Sequence, residues 1–160
     1  MSANINYTGV VVTSLNILAS AIFSFFLTHS LTNNSDALNL VANVFSILSG
    51  FLLLVITMSG ENSSILSNLS ALDIANQEKR FAIRFNKYYA LFLLYILTLA
   101  LIFIYYLLSK EKTPVGDVKS IFIKGIGYCI SFLTCFSFIQ STFIPLKIKE
   151  LFKEKRELNK

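Results

Sequence analysis

Four long apolar stretches, separated by short polar segments, dominate this chain of 160 residues. They cover residues 9–28, 38–58, 88–108 and 121–144. A hydrocarbon core about 30 Å thick is crossed by roughly 20 apolar residues in a helix. Because lipid offers no partner to the backbone, such a stretch satisfies its own hydrogen bonds by forming a helix. The pattern predicts an all-α integral membrane protein with four transmembrane helices.

Two polar segments carry apolar and basic residues at helical spacing, and we expect both to be helical. One is the segment of about residues 62–87, and the other is the C-terminal segment of about residues 146–160. Apolar residues on one side and basic residues on the other are typical of amphipathic helices at a membrane surface. The four spans and these cytoplasmic extensions are predicted to form a single domain over residues 1–160.

Composition agrees with this interpretation. Hydrophobic residues make up 54% of the chain and charged residues only 14%, whereas a soluble domain usually carries about a quarter charged residues. Too little chain remains outside the apolar stretches for a separate soluble domain.

The distribution of basic residues predicts the orientation in the membrane. Ten of the 14 lysines and arginines lie between the second and third stretches or after the fourth. The other four lie between the third and fourth stretches or just inside the fourth. Because basic residues concentrate in cytoplasmic segments beside spans, both the N-terminus and the C-terminus are predicted to be cytoplasmic.

Polar residues at helical spacing mark faces of the spans that are unsuited to lipid. The second span has such a face, the first a looser one with Asn16 and Ser20, and the third only Thr98, so we expect the third to be the most lipid-exposed. These faces either pack closely against other helices or line a water-filled path between several copies of the chain. The candidate residues for this packing or pore stripe are Asn39, Asn43, Ser46, Gly50, Lys124 and Ser131.

Basic residues also recur at helical spacing in the two polar segments. Such stripes either attract anionic lipids or bind a polyanionic ligand such as a nucleotide or oligonucleotide. The candidate contact residues are Arg80, Arg84, Lys87, Lys149, Lys153, Arg156 and Lys160.

The sequence gives no indication of an enzyme. It lacks a nucleophile elbow, a phosphate-binding glycine loop and a zinc-protease motif, and all nine acidic residues lie outside or at the ends of the spans. Cys129 and Cys135 have neither disulfide nor metal-site spacing. We therefore expect no catalytic residues, no metal and no cofactor.

Two stretches resemble small bacterial membrane effectors of antiphage defence. "VFSILSGFLLLVITMSGE" at residues 44–61 and "RFNKYYALFLLYILTLALIFI" at residues 84–104 resemble the transmembrane channel effector of Hailong-type systems. The four-span plan is also similar to the phage-exclusion membrane proteins of lambdoid prophages. The resemblance implies an oligomeric ion channel in the bacterial inner membrane, with a companion nucleotidyltransferase whose short DNA products hold the channel shut.

The resulting functional prediction is a homo-oligomeric, regulated pore that acts as an effector of abortive infection. Two alternatives remain open at this point. The first is a non-conducting accessory or immunity subunit of a larger membrane complex, and the second is a holin-like lysis protein.

Overall fold

A computed structural model describes residues 7–60, 71–110, 117–145 and 149 of the chain. Over these residues the fold consists of four α-helices: α1 (Tyr7–Thr32), α2 (Ser35–Gly60), α3 (Ala71–Lys110) and α4 (Asp117–Ser141). Each helix contains a stretch long and apolar enough to cross a membrane. The prediction of an all-α fold with four membrane-length helices is confirmed, and the chain is a multi-pass membrane protein.

The turn between α1 and α2 is shorter than the polar loop that the sequence pattern indicated. Only Asn33 and Asn34 separate the two helices. The Asn34 side-chain oxygen Oδ1 accepts hydrogen bonds from the backbone N–H groups of Asp36 and Ala37, both at 3.1 Å. Asparagine is among the best N-cap residues because it satisfies N–H groups that the first helical turn leaves unpaired. The cap lets α2 begin at Ser35, three residues before the predicted span.

Helix α3 is 40 residues long, which corresponds to about 60 Å or roughly twice the hydrocarbon thickness. Its apolar, membrane-length part is Ala82–Lys110. The expected helix over residues 62–87 is present from Ala71 onward as the beginning of α3, and residues 62–70 lie outside the described part of the chain. The side of the membrane on which this extension lies stays a prediction.

Helix α4 ends at Ser141, before the predicted end of the fourth span at residue 144. The backbone then tightens, because the Phe143 N–H donates to the Gln140 carbonyl only three residues earlier, at 3.2 Å. Ile144 and Pro145 are helical again, and proline is favourable at the start of a helix, where its missing N–H needs no partner. Of the expected C-terminal helix over residues 146–160, only Lys149 lies within the described residues.

The helices pack in the spatial order α2, α3, α4, α1. Helix α1 lies mainly against α4, α2 lies mainly against α3, and α1 and α2 contact each other least. Apolar side chains from α2, α3 and α4 fill the interior. Phe45 of α2 stacks on Tyr95 of α3 at a ring distance of 5.0 Å and contacts Phe138 of α4 at 5.1 Å.

The expectation that the third span is the most lipid-exposed is wrong. Helix α3 packs between α2 and α4, and both Tyr95 and Thr98 are fully buried. Helix α1 has the smallest buried share of the four spans, with Phe25 and Phe26 more than 70% exposed. Polar content misled the prediction because a helix with few polar residues can still be covered by apolar neighbours on two sides.

Candidate functional site

The outer face of α2 is defined by Asn39, Asn43, Ser46 and Gly50, and all four residues are exposed on the surface of the protomer. At 100° per residue, Asn43 lies about 180° around the helix from Leu52, which is 0% exposed in the core. The stripe is therefore centred on the side of α2 opposite the core, although Asn39 reaches Tyr106 of α3.

The side chains of this outer face differ in their hydrogen bonding. The Asn39 oxygen Oδ1 accepts from the Tyr106 hydroxyl at 3.2 Å, and the Ser46 hydroxyl donates to the Ala42 carbonyl at 2.8 Å. Within the described residues, the Asn43 amide has no hydrogen-bond partner. A Cβ atom built on Gly50 would meet no atom within 4 Å. The face is open and contains one unsatisfied amide.

The depth of Asn43 makes this amide costly in lipid. The membrane-length part of α2 is Ser35–Thr57, and Asn43 lies about 5 Å from its midpoint along the helix axis. Transfer of an unpaired amide into hydrocarbon costs several kcal/mol. The outer face of α2 is therefore stabilised only when another polar surface or water covers it.

A second polar region, the α1–α4 interface, lies inside the protomer. Its α1 side carries a polar residue every four positions, and its α4 side includes Gly127. The α1 residues are Asn16, Ser20, Ser24, Thr28 and Thr32. Three hydroxyl residues of α4, Ser131, Thr134 and Ser137, are also buried inside the bundle.

Two hydrogen bonds cross the α1–α4 interface. The Asn16 amide nitrogen Nδ2 donates to the Phe136 carbonyl at 3.3 Å, and the Ser24 hydroxyl donates to the Tyr128 carbonyl at 2.9 Å. The bonds are eight residues apart on each helix and advance in opposite directions, so α1 and α4 are antiparallel in fixed register.

Close approach of α1 and α4 depends on Gly127. A Cβ atom at this position would lie 3.1 Å from Thr32 Cγ2 and 3.5 Å from Thr28 Cγ2. Thr32 itself donates to the Thr28 carbonyl at 2.8 Å, so both methyl groups are held toward α4. Small residues that permit close backbone approach are typical of helix contacts in membranes.

The six residues of the predicted packing or pore stripe do not share one surface. The four residues of α2 lie on its outer face, whereas Ser131 is 0% exposed inside the bundle. Lys124 is exposed on α4. For Ser131 the helix-packing interpretation fits the structure, and for the α2 residues the structure leaves the face uncovered.

Tyrosines at the end of α3 fix the α1–α2 turn. The Tyr105 hydroxyl donates to the Thr32 carbonyl at 3.3 Å, and the Tyr106 hydroxyl donates to the Ser35 carbonyl at 3.0 Å. The Lys110 ammonium lies 5.8 Å from the Tyr106 ring centroid. The one O–H proton of Tyr106 is shared between the Ser35 carbonyl and Asn39 Oδ1, so Tyr106 joins the beginning of α2 to the end of α3.

The predicted basic contact residues are only partly described. Arg84 is half-buried, and Lys87 and Lys149 are exposed. The side chain of Arg80 and all of Lys153, Arg156 and Lys160 lie outside the described residues. A shared cytoplasmic ring of these charges stays a prediction.

Sequence reasoning missed a polar contact in the core. The Tyr95 hydroxyl and the Ser141 hydroxyl are 2.5 Å apart, and Ser141 also donates to the Ser137 carbonyl at 2.5 Å. The signal was Tyr95 itself, because a tyrosine in the middle of an apolar span needs a partner for its hydroxyl. The sequence analysis also missed that the polar pattern of the first span continues to Thr28 and Thr32 at spacings of four residues.

Comparison of the chain with protein-family models, curated proteins and solved structures returns no match.

Proposed function

We propose that the chain is the subunit of a homo-oligomeric, regulated ion channel in a bacterial inner membrane. The observation that carries the proposal is the exposed outer face of α2, with the unsatisfied amide of Asn43 near mid-membrane. A second copy of the chain supplies hydrogen-bond partners for this face, or several copies enclose water against it.

The packing inside one protomer supports an ion path between copies of the chain rather than through a single protomer. Leu38, Phe45 and Leu52 of α2 are 0% exposed, as are Tyr95 of α3 and Ile130 of α4. These large side chains occupy the space between the three helices, where ions would otherwise pass. Conduction then requires a pore that several protomers surround, and the outer face of α2 is the polar surface available to line it.

The biological role rests on the resemblance of residues 44–61 and 84–104 to Hailong-type effectors. In this role the channel depolarises an infected cell and halts phage multiplication. An anionic nucleotide or oligonucleotide from a companion nucleotidyltransferase controls its opening, and the basic residues of α3 and the C-terminal segment bind that ligand or the anionic lipids around it. A non-conducting accessory subunit is the competing outcome of the tests below.

Disulfide cross-linking tests which helix face meets another copy. In a background with Cys129→Ser and Cys135→Ser, the variant Asn43→Cys is expected to form dimers upon oxidation in membranes. Phe25→Cys is the matched control, because both positions lie nine residues from Asn34 and Phe25 is 74% exposed on α1. Equal cross-linking at both positions, or none at either, contradicts assembly through α2.

Ion flux from proteoliposomes tests conduction itself. The purified chain is expected to release entrapped K⁺, and alkylation of Asn43→Cys by a water-soluble thiol reagent is expected to block that release. Alkylation of Phe25→Cys should leave the flux unchanged. Oligomers that cross-link through residue 43 but release no ions would favour the accessory subunit.

Substitution of the C-terminal basic residues tests whether an anionic ligand regulates the channel. The triple change Lys149→Gln, Lys153→Gln and Arg156→Gln is expected to leave insertion intact and to remove control of the channel. Contacts with phosphates weaken steeply with added salt because counterions are released on binding, so control should also weaken with salt. A shuffled sequence of residues 147–160 is the control: normal regulation with that sequence would contradict ligand binding by the phased basic residues.

A further inference from the structure

A polar face of α4 is exposed on the side of the helix opposite the core. Ile121, Lys124, Gly125 and Tyr128 are all exposed, and they lie within an arc of about 100° around the helix. Ile130, on the opposite side of α4, is 0% exposed. We call the four exposed residues the outer face of α4.

Lys124 carries a charge inside the apolar part of α4. The membrane-length part of this helix is Val118–Ser141, so the Lys124 Cα lies about 8 Å from its midpoint. In a hydrocarbon core about 30 Å thick this position is about 7 Å below the surface. Within the described residues the Lys124 ammonium has no ion-pair or hydrogen-bond partner. Because a charge left in hydrocarbon is strongly unfavourable, the ammonium requires an anion or water from outside the protomer.

The direction of α4 leads the Lys124 side chain toward the nearer membrane surface. Side chains of a helix tilt toward its N-terminus, and Lys124 lies in the N-terminal part of α4. Its apolar methylene groups can therefore cover the helix while the ammonium extends outward. This direction brings the ammonium close to the level of the lipid phosphates.

Tyr128 presents a second polar group on the same face, one turn deeper in the membrane. The residue is 48% exposed, and its hydroxyl has no partner within the described residues. The hydroxyls of Tyr95, Tyr105 and Tyr106 are all hydrogen-bonded, as is usual for tyrosines removed from water. The Tyr128 hydroxyl tilts in the same direction as Lys124, so it is open to an acceptor from outside the protomer.

We propose that the outer face of α4 binds one anionic phospholipid, with the lipid phosphate on Lys124 and a glycerol ester carbonyl on Tyr128. Four residues of helix rise about 6 Å, which is similar to the separation of the phosphate and the ester carbonyls within a glycerophospholipid. Gly125 leaves the space beside the two side chains open, since a Cβ at this position would meet no atom within 4 Å.

Charge complementarity favours a lipid over a second copy of the chain as the occupant. Within the membrane-length parts of the four described helices, Asp36 is the only acidic residue, and it lies in the first turn of α2. Lipid phosphates instead surround each protomer at the level that Lys124 reaches. A lipid with a net negative charge is preferred, because no cationic headgroup offsets its phosphate. The site lies on α4 and does not depend on the proposed channel.

Native mass spectrometry of the full chain, with phosphatidylglycerol and phosphatidylcholine supplied in equal amounts, tests the proposal. The unmodified protein is expected to retain about fivefold more phosphatidylglycerol, and Lys124→Gln is expected to remove that preference. Lys110→Gln is the matched control, because it removes an exposed charge at the same end of the bundle and should leave the preference intact.

Two outcomes of this comparison would overturn the proposal. An equal loss of preference in both variants would show attraction by net charge alone. An unchanged preference in Lys124→Gln would show that Lys124 pairs with another anion, such as Asp36 of a second copy. An excess of inorganic phosphate should not displace the lipid, and displacement would mean that the face binds a free anion instead.

Tyr128→Phe separates the ester contact from the phosphate contact. The change removes only the hydroxyl, and both lipids carry ester carbonyls. Retention of both lipids should therefore fall about twofold while the preference for phosphatidylglycerol remains. Unchanged retention of both lipids would contradict the contact between Tyr128 and the ester.

Phosphorus–nitrogen dipolar NMR of the unmodified protein in phosphatidylglycerol bilayers gives a readout that needs no variant. Lipid phosphorus is expected to dephase the Nζ signal of Lys124 more strongly than that of Lys110, whose ammonium lies over the Tyr106 ring. Equal or weaker dephasing at Lys124 would overturn the proposal.

Discussion

Helices α1 and α2 carry similar polar patterns, yet the structure places them in opposite surroundings. Each has an asparagine in its apolar part with serines at helical spacing, Asn16 in α1 and Asn43 in α2. Asn16 is 3% exposed and donates to the Phe136 carbonyl of α4. Asn43 is exposed, and no partner for its amide lies within the described residues.

The contrast shows that a polar stripe identifies a face but not its partner. In α1 the stripe is covered by α4 of the same chain, where Gly127 permits close approach. In α2 the opposite face is already used, because Phe45 and Leu52 form the core with α3. An amide left at this depth in lipid is unfavourable by several kcal/mol, so we propose that a second copy of the chain covers the α2 stripe.

The largest effect is expected from exchanging each asparagine for leucine. Asn43→Leu should leave the thermal stability of the protomer unchanged and lower the equilibrium constant for assembly at least about tenfold, which corresponds to a loss of about 1.4 kcal/mol. Native mass spectrometry in mild detergent measures the oligomer, and liposome flux should fall in parallel.

Asn16→Leu is the matched control for that change. It removes the donor to the Phe136 carbonyl, worth about 0.6 kcal/mol, and changes the side-chain shape at a position that is only 3% exposed. Together these should reduce protomer stability by about 1–3 kcal/mol, and the folded protein should still assemble normally. If Asn43→Leu instead destabilises the protomer and leaves assembly intact, the outer face of α2 is covered within one chain and the contrast with α1 disappears.

Spacing alone predicted the helices and their polar faces, because 3.6-residue periodicity and span length are local properties of a sequence. It predicted that Asn39 and Asn43 share one face of the second span, and both are exposed on α2. It also gave Ser131, on the fourth span, as a packing or pore candidate without saying what would cover it. Ser131 is 0% exposed inside the bundle, and which helix covers a given face depends on how all four helices assemble.

The local sequence pattern also could not predict which residues of α3 are buried. Its span is apolar all round, so periodicity does not distinguish an inner from an outer side. Tyr95 and Thr98 are buried because α2 and α4 pack on two sides of α3. The Tyr95 hydroxyl and Thr98 marked the inner side in advance. Each polar group at this depth has a partner, which is Ser141 for Tyr95 and the Leu94 carbonyl for Thr98.

Substitution of one glycine in each region is expected to have an effect of intermediate size. Gly127 belongs to the α1–α4 interface, and Gly50 belongs to the outer face of α2. Gly127→Leu introduces a side chain where even a Cβ would lie 3.1 Å from Thr32 Cγ2. Overpacking of this kind typically costs about 1–3 kcal/mol, so the protomer should unfold at a lower temperature or denaturant concentration.

Gly50→Leu should behave in the opposite way. A Cβ at Gly50 meets nothing within 4 Å in the protomer, and leucine is the better helix former. The protomer should be at least as stable as before, whereas a close contact between α2 helices of two copies would be disturbed and cross-linking through residue 43 reduced. Unchanged cross-linking would place Gly50 outside the contact between copies.

The smallest effect is expected from a single hydrogen bond between helices. Ser24→Ala removes the donor to the Tyr128 carbonyl, and such bonds in membrane proteins average about 0.6 kcal/mol. Ser14→Ala, at an exposed position of the same helix, is the control, because both changes alter helix propensity equally. The difference between the two variants in reversible unfolding therefore isolates the bond. A difference near zero would mean that close packing at Gly127, rather than hydrogen bonding, holds α1 against α4.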